Sequence, residues 1–177
     1  FSPDKVRLVT HKVTKAANVL KVRSLATTIP GAEKYDLETM EGMFLADYQF
    51  KGLFQKESED RKHALSKVTL ITKKASATKT LAETSKVFEA VNLSKDLVNY
   101  PSNIVTPTYL ADTAKKLAKG QKNVSLEILS EEDAAKKKMG LFLSVAKGSK
   151  EPAKMIVLNY KGNPASKDTY GVIGKGI

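Results

Sequence analysis

The turn Gly174-Lys175-Gly176 is the part of this chain whose residue types and spacing are most typical of a binding site. Glycines after a strand let a phosphate approach the backbone closely. A P-loop would require glycine at position 169 and serine or threonine at position 176, where the chain has Thr169 and Gly176. The turn could instead begin a dinucleotide-binding Gly-x-Gly-x-x-Gly sequence, whose third glycine would follow Ile177. A truncated nucleotide-binding α/β domain therefore stays open as an alternative.

Other side chains that could do chemistry are few. The only histidines are His11 and His63, neither has a second histidine at metal-ligand spacing, and we predict both to be surface residues. The absence of cysteine excludes disulfides, zinc–thiolate sites and cysteine nucleophiles. The acidic run 131–133 precedes a predicted short helix, where negative charge is favoured by the helix dipole. We interpret these carboxylates as structural.

The elements that position the turn are predicted to alternate between helix and strand. Ser2 and Pro3 are typical of a helix start, and strands are predicted over 24–29 and 68–72, the second of them buried. A second helix is predicted to be capped by Asp36, and the charged stretch 56–62 to be a loop. The predicted buried face of the first helix is Val6, Val9, Val13, Ala17 and Leu20, and that of the second is Leu37, Met40, Phe44 and Tyr48.

A long helix is predicted over residues 81–99. Tyr100 precedes Pro101, which disfavours helical backbone and should end the helix near Asn99. We expect a domain boundary in or just after this helix, and predict that Asp96 and Asn99 hold the following loop, 101–107, in shape. The predicted inner side of the helix is Leu81, Thr84, Phe88, Val91 and Val98.

The second half of the chain continues the α/β pattern. Thr106 and Pro107 predict a helix that Gly120 ends, and its apolar stripe is predicted to be Leu110, Ala114, Leu117 and Ala118. Ser130 and Asp133 resemble a capping box before a short helix that stops at Gly140. Strands are predicted over 124–128, 141–145, 155–160 and 169–173. The predicted fold class is α/β throughout.

Four blocks of residues (92–99, 103–107, 140–149 and 156–163), followed by the turn at Lys175, resemble the leucyl aminopeptidase family in their order and spacing. The block 92–99 reads Asn-Leu-Ser-Lys-Asp-Leu-Val-Asn, and the family usually has arginine at the position of Lys95. The resemblance implies three parts. Residues 1–80 would be part of an α/β amino-terminal domain, residues 81–99 a linker helix, and residues 100–177 the start of an α/β catalytic domain with a mixed sheet.

The resemblance also implies a function for the complete protein. Family members are hexameric exopeptidases that remove amino-terminal residues, often leucine, from peptides with two divalent metal ions, zinc or manganese. The lysine at the position of Lys175 ligates one metal, for which its amine must be neutral, and a neighbouring dication favours that form. The acidic metal ligands would follow Ile177. We therefore expect an incomplete chain that contains no catalytic residue and has no peptidase activity alone.

Charge and composition leave a second kind of function open. The net charge of +11 is compatible with a basic nucleic-acid-binding module. However, only three of the cationic residues are arginines, and the lysines are spread along the chain, so we favour a solvated surface. No apolar run reaches the roughly 18 residues of a membrane span, and no signal peptide is evident. We expect a cytoplasmic protein that does not contact a membrane.

Overall fold

The computed structural model describes residues 2–29, 34–50, 52–53 and 65–176. The chain divides into two compact units, residues 1–99 and residues 100–177. The predicted loop 56–62 and His63 lie outside the described residues. No helix in the described ranges is both long and apolar enough to cross a membrane.

The first unit contains three helices and a pair of parallel strands. Along the chain these are α1 (Pro3–Val19), β1 (Ser24–Thr27), α2 (Asp36–Asp47), β2 (Lys67–Leu70) and α3 (Ala77–Asn99). The register of the strand pair runs from Ser24 opposite Lys67 to Thr27 opposite Leu70. Parallel strands need a crossover connection, and α2 lies within it. The strand predicted over 68–72 is present but not buried, since Val68 is 42% exposed.

Helix α1 begins as predicted but buries a different face. The Ser2 hydroxyl accepts a hydrogen bond from Lys5 N, and Pro3 is the first helical residue. The predicted face is wrong at Val9, Val13 and Leu20, which are exposed. The buried residues are Val6, Thr10, Thr14 and Ala17. Helix α2 selects this face because Gly42 has no side chain and its backbone lies directly against Arg7 and Thr10.

Helix α2 starts one residue earlier than the predicted cap requires. Tyr35 occupies the cap position, while Asp36 is the first helical residue and is buried. The Asp36 carboxylate accepts a hydrogen bond from Thr72 Oγ1 at 2.9 Å, which ties the start of α2 to the segment that follows β2. Met40 is buried as predicted, whereas Leu37 is exposed.

Helix α3 begins four residues before the predicted start and ends at Asn99 as predicted. Thr84 and Phe88 are buried, and the Phe88 ring stacks on Phe44 of α2 with ring centroids 5.3 Å apart. Leu81 and Val98 of the predicted inner side are exposed. The ring contact with α2 therefore lies in the middle of α3, and the predicted stripe is wrong at Leu81 and Val98, toward the two ends of the helix.

The second unit consists of helices around an antiparallel strand pair. Its elements are α4 (Pro107–Ala118), β3 (Val124–Leu129), α5 (Glu131–Lys136), α6 (Gly140–Ala146) and β4 (Met155–Tyr160). The register of β3 and β4 runs from Val124 opposite Tyr160 to Leu129 opposite Met155. Helix α4 contacts both strands. Gly120 follows α4 at φ +78°, a conformation that glycine adopts without strain.

The strand predicted over 141–145 is wrong, because these residues lie in α6. Phe142, Leu143 and Ala146 are half-buried, and their spacing is that of one helix face. The Ser144 hydroxyl donates to the Gly140 carbonyl at 2.8 Å. Helix α6 contacts α5, and this packing, which a short apolar run does not reveal, favours the helix.

The strand predicted over 169–173 is also absent from the described structure, in which residues 161–176 form no regular element. Val172 and Ile173 are 97% and 98% exposed. A strand is stable only when a neighbour satisfies its backbone groups, and none of the described strands pairs with these residues. Mixed helices and small sheets nevertheless confirm the α/β class.

Candidate functional site

Lys175 lies in the exposed segment that follows β4. The last strand residue is Tyr160, and Lys161 N extends the strand pairing by one hydrogen bond to the Asn123 carbonyl, 2.8 Å away. From there the chain runs without regular structure to the glycine turn, and the Lys175 side chain is exposed. Its amine is therefore accessible to a ligand.

Only one of the three glycines between 171 and 176 lies against another part of the second unit. A methyl group built on Gly176 would lie 3.3 Å from Leu110 Cδ1, whereas such a group on Gly171 or Gly174 would meet nothing within 4 Å. The turn that carries Lys175 therefore touches helix α4 on the carboxyl side of the lysine.

The first turn of α4, which contains Leu110, is stabilised by hydrogen bonds. Thr106 caps it by accepting a hydrogen bond from Tyr109 N at 3.2 Å, and Leu110 N donates to the Thr106 carbonyl at 3.0 Å. Ala111 and Ala114 are buried. The Tyr109 ring also contacts the ring of Tyr100, with centroids 6.4 Å apart. The cap and the buried alanines hold the turn of helix from which Leu110 projects.

The donor set around Lys175 fits one ligand of a metal centre but not a whole centre. Within the described ranges, no three histidine, cysteine, aspartate or glutamate side chains are grouped so as to hold a metal ion. A two-metal site needs several hard oxygen ligands, whereas Lys175 offers one nitrogen. The other ligands of any such centre have to come from outside the described residues.

Asp96 and Asn99 of α3 bind the hydroxyl of Tyr48, the residue that follows α2. The Tyr48 hydroxyl donates to Asp96 Oδ1 at 2.8 Å and accepts from Asn99 Nδ2 at 2.8 Å. Lys95 Nζ lies 4.7 Å from the centroid of the Tyr48 ring, within cation–π distance. This part of the first unit joins the end of α2 to the last turns of α3.

The prediction that Asp96 and Asn99 support the loop 101–107 did not anticipate this contact with Tyr48, and the support of the loop stays a prediction. The loop forms its own hydrogen bonds, in which Ile104 N and Val105 N donate to the Pro101 carbonyl at 2.9 and 3.0 Å. Sequence reasoning placed Tyr48 in an apolar stripe and missed its polar role. The sequence contained only a general indication of this role, because a buried tyrosine hydroxyl usually has a hydrogen-bond partner.

The acidic run at the start of α5 is structural, as predicted. Hydrogen bonds from the Ser130 backbone N–H and then from its hydroxyl, at 3.0 and 2.7 Å, lower the pKa of Asp133. In return the Ser130 hydroxyl accepts from Asp133 N, which completes the predicted capping box. A hydrogen bond from Lys115 lowers the pKa of Asp112 on α4. In both cases a residue three positions away in the sequence stabilises the ionised carboxylate.

Comparison with known proteins relates this chain to one family. Residues 92–177 match the model described as "Cytosol aminopeptidase family, catalytic domain". A probable cytosol aminopeptidase of Bordetella petrii is 36% identical over 175 residues, which cover 96% of this chain and 35% of that protein. One of Alkaliphilus metalliredigens is 32% identical over 187 residues, covering 100% of this chain and 37% of that protein. The chain thus spans about a third of the length of these curated relatives.

Comparison with solved structures shows a similar fold in related enzymes. A mutant of tomato leucine aminopeptidase matches 94% of this chain with a TM-score of 0.76 and 25% sequence identity. The bottromycin maturation enzyme BotP in complex with Mn matches 90% with a TM-score of 0.68 and 24% identity, a likeness of fold. In each case the match covers 34% of the other chain.

Proposed function

Because the chain belongs to the cytosol aminopeptidase family, we propose that the complete protein is a metal-dependent aminopeptidase that removes amino-terminal residues, often leucine, from peptides. The observation that carries this proposal is the match over residues 92–177, which includes the glycine turn at Lys175. That turn presents an exposed lysine between two glycines. The proposed cofactor is a pair of divalent ions, zinc or manganese. The manganese complex of the structural neighbour BotP supports metal dependence.

Lys175 is proposed to hold one of the two ions through its side-chain nitrogen. When bound, the ions supply an activated water and polarise the scissile carbonyl. The contribution of this chain is to position the Lys175 amine for the ion. Gly174 leaves open space on one side of the lysine, and Gly176 lets the backbone lie close to Leu110 on the other. The carboxylate ligands belong to the remainder of the complete protein, so residues 1–177 alone should not hydrolyse peptides.

The proposed domain organisation follows the family match. Residues 1–80 form part of an amino-terminal domain, residues 81–99 a linker helix, and residues 100–177 the start of the catalytic domain. The match begins at residue 92, inside α3. The two compact units meet in sequence at the end of that helix. A homohexamer in the cytoplasm completes the proposal, and the relatives' description as cytosol aminopeptidases supports the location.

Neither alternative function gains support from a specific feature of the site. Arg7, one of the arginines that could contact phosphate, is engaged by Glu41 at 2.6 Å and Asp4 at 2.9 Å. The family match extends across the turn that a nucleotide-binding domain would use. Neither a nucleic-acid-binding module nor a truncated nucleotide-binding domain is therefore proposed.

The test is hydrolysis of leucine amide by the complete protein and its Lys175→Ala variant. Removing metal with a chelator should abolish activity, and adding Mn²⁺ or Zn²⁺ should restore it in the wild type. The variant should stay inactive at the same metal concentration. Lys167→Ala is the matched control, since Lys167 is another exposed lysine of the same segment. Full activity of the chelated enzyme, or of the Lys175→Ala variant, would refute the proposal.

A further inference from the structure

We propose that the last turns of helix α3 open and close locally, and that the hydroxyl of Tyr48 is the latch that holds them closed. The latch consists of two hydrogen bonds of 2.8 Å, one that the hydroxyl donates to Asp96 and one that it accepts from Asn99. The inference goes beyond the proposed function, because it concerns the segment at which the first unit ends and depends on no metal ligand.

Helix α3 is described over its whole length, and its carboxyl-terminal half has no buried side chain. The buried residues of the helix are Ala77, Thr84 and Phe88. Residues 89–99 are half-buried or exposed, and Val98 is 83% exposed. Segments with few buried apolar contacts are the ones that open locally while the rest of a protein stays folded. Burial therefore stabilises α3 up to Phe88, and the turns after it depend on other interactions.

The last turn of α3 is also a poor helix by itself. Three of its four residues, Asp96, Val98 and Asn99, are types with low helix propensity. The Asp96 carboxylate lies near the negative end of the helix dipole, and no basic side chain lies in the described last turn to offset it. Pro101 disfavours helical backbone at the residue before it. Local sequence alone would therefore end α3 earlier or leave its last turn open.

The latch offsets these weaknesses from outside the helix. The Tyr48 hydroxyl donates to the Asp96 carboxylate and so stabilises a negative charge that the helix dipole opposes. The hydrogen bond from Asn99 reaches the last helical residue. Lys95 Nζ, 4.7 Å from the centroid of the Tyr48 ring, adds a cation–π contact one turn earlier. Since Tyr48 follows α2, α3 stays helical to its end because another element holds it.

Asn92 favours opening of the same segment. It lies one turn before Asp96 on the same face of α3, and its side-chain oxygen is buried with no hydrogen-bond partner among the described residues. Opening returns this oxygen to water and recovers part of the cost of its burial. The position at which α3 ends, and so the length of the non-helical chain that follows it, is therefore set by the Tyr48 latch.

The test is amide hydrogen exchange of the complete protein, followed by mass spectrometry of peptides that cover α3. Tyr48→Phe removes the hydroxyl and keeps the ring. Exchange over residues 96–100 should become about tenfold faster, because the closed state loses the two hydrogen bonds of the latch. Peptides that cover residues 84–88 should exchange as in the wild type. Tyr170→Phe is the matched control, since this tyrosine is 90% exposed and the variant should change neither region.

A second variant tests whether the opening is a loss of helix. Val98→Ala raises helix propensity at an exposed position of the last turn. Combined with Tyr48→Phe, it should make exchange over 96–100 roughly two- to threefold slower than in Tyr48→Phe alone. This recovery uses no group of the latch, so it separates helix stability from any other effect of the lost hydroxyl.

The outcomes decide between the latch and a general loss of stability. Unchanged exchange over 96–100 in Tyr48→Phe would overturn the latch, and an equal acceleration in every peptide of α3 would overturn local opening. Failure of Val98→Ala to slow exchange in the Tyr48→Phe background would also contradict it. None of these results depends on metal binding or peptide hydrolysis, so the inference and the proposed function stand or fail separately.

Discussion

The hydroxyl of Tyr48 donates a hydrogen bond to the carboxylate of Asp96 across 2.8 Å, and the two residues stand 48 positions apart in the sequence. The same hydroxyl accepts from Asn99, so both of its hydrogen-bonding functions are used. Through this one oxygen, the end of α2 is joined to the last turns of α3. The first unit ends at Asn99, the last residue of α3, and the second unit begins at the next residue.

Tyr48→Phe should lower the free energy of unfolding by roughly 1–3 kcal/mol, because Asp96 loses a partner at a partly buried position and Asn99 loses one at an exposed position. Chemical denaturation measures this difference. Tyr170→Phe is the control, since Tyr170 is 90% exposed and should change stability little. Equal stability of Tyr48→Phe and the wild type would show that the bonds to Asp96 and Asn99 contribute nothing net.

Gly42→Ala should destabilise the first unit by about 1–3 kcal/mol, the usual cost of overfilling a packed contact. The new methyl group would overlap the Arg7 carbonyl oxygen and Thr10 Oγ1, and backbone atoms cannot turn aside as a flexible side chain can. Thermal unfolding checks the prediction. Gly148→Ala should be near neutral because nothing lies within 4 Å of its added methyl group. Similar melting temperatures for the two variants would contradict the close packing of α1 and α2.

Thr14→Val should stabilise the protein by about 1 kcal/mol. The Thr14 hydroxyl is buried and has no hydrogen-bond partner in the described structure, so its removal avoids a desolvation cost. Thr10→Val should have the opposite sign, because the Thr10 hydroxyl donates to the carbonyls of Val6 and Arg7 at 3.0 and 3.2 Å. Urea unfolding of both variants gives the comparison. A destabilised Thr14→Val would mean that its hydroxyl is satisfied in solution.

Asp133 should make stability depend on acid pH. Its pKa is lowered in the folded state by the hydrogen bonds from Ser130. Its contribution is therefore complete above the ordinary aspartate value of about 3.9, and it is lost as the pH falls through the lower folded-state pKa. The melting temperature of the wild type should thus fall more steeply than that of Asp133→Asn below about pH 4. Parallel curves would contradict this.

A titration followed by NMR isolates the cause. Ser130→Ala removes the hydroxyl donor but keeps the backbone N–H. The pKa of Asp133 should then rise part of the way toward its ordinary value. An unchanged pKa in Ser130→Ala would assign the whole effect to the backbone hydrogen bond.

Local signals in the sequence predicted the ends of several elements correctly. Ser2 with Pro3 and Thr106 with Pro107 begin helices, and the capping box at Ser130 is formed. These signals succeed because a cap and its hydrogen-bond partner are three residues apart, so the sequence contains the whole interaction. The family resemblance was likewise carried by short blocks, and the match over residues 92–177 confirms it.

Predictions of face and of element type failed where a contact between elements decides the outcome. The buried side of α1 depends on Gly42, which is distant in sequence, and the helix at 140–146 packs against α5, the element that precedes it in the chain. The apolar run 169–173 has β propensity, but no described strand pairs with it. Propensity states what a segment can form, while the partner determines what it does form.

The sequence by itself therefore determined the α/β class, the helix caps, the family and the identity of Lys175 as the candidate metal ligand. Only the tertiary structure decided that Asp96 and Asn99 hold Tyr48 and that Gly176 lies against Leu110. The physical reason is the range of the interactions. Caps and motifs are settled within a few residues, whereas a side chain's partner across 48 or 66 positions exists only once the chain has folded.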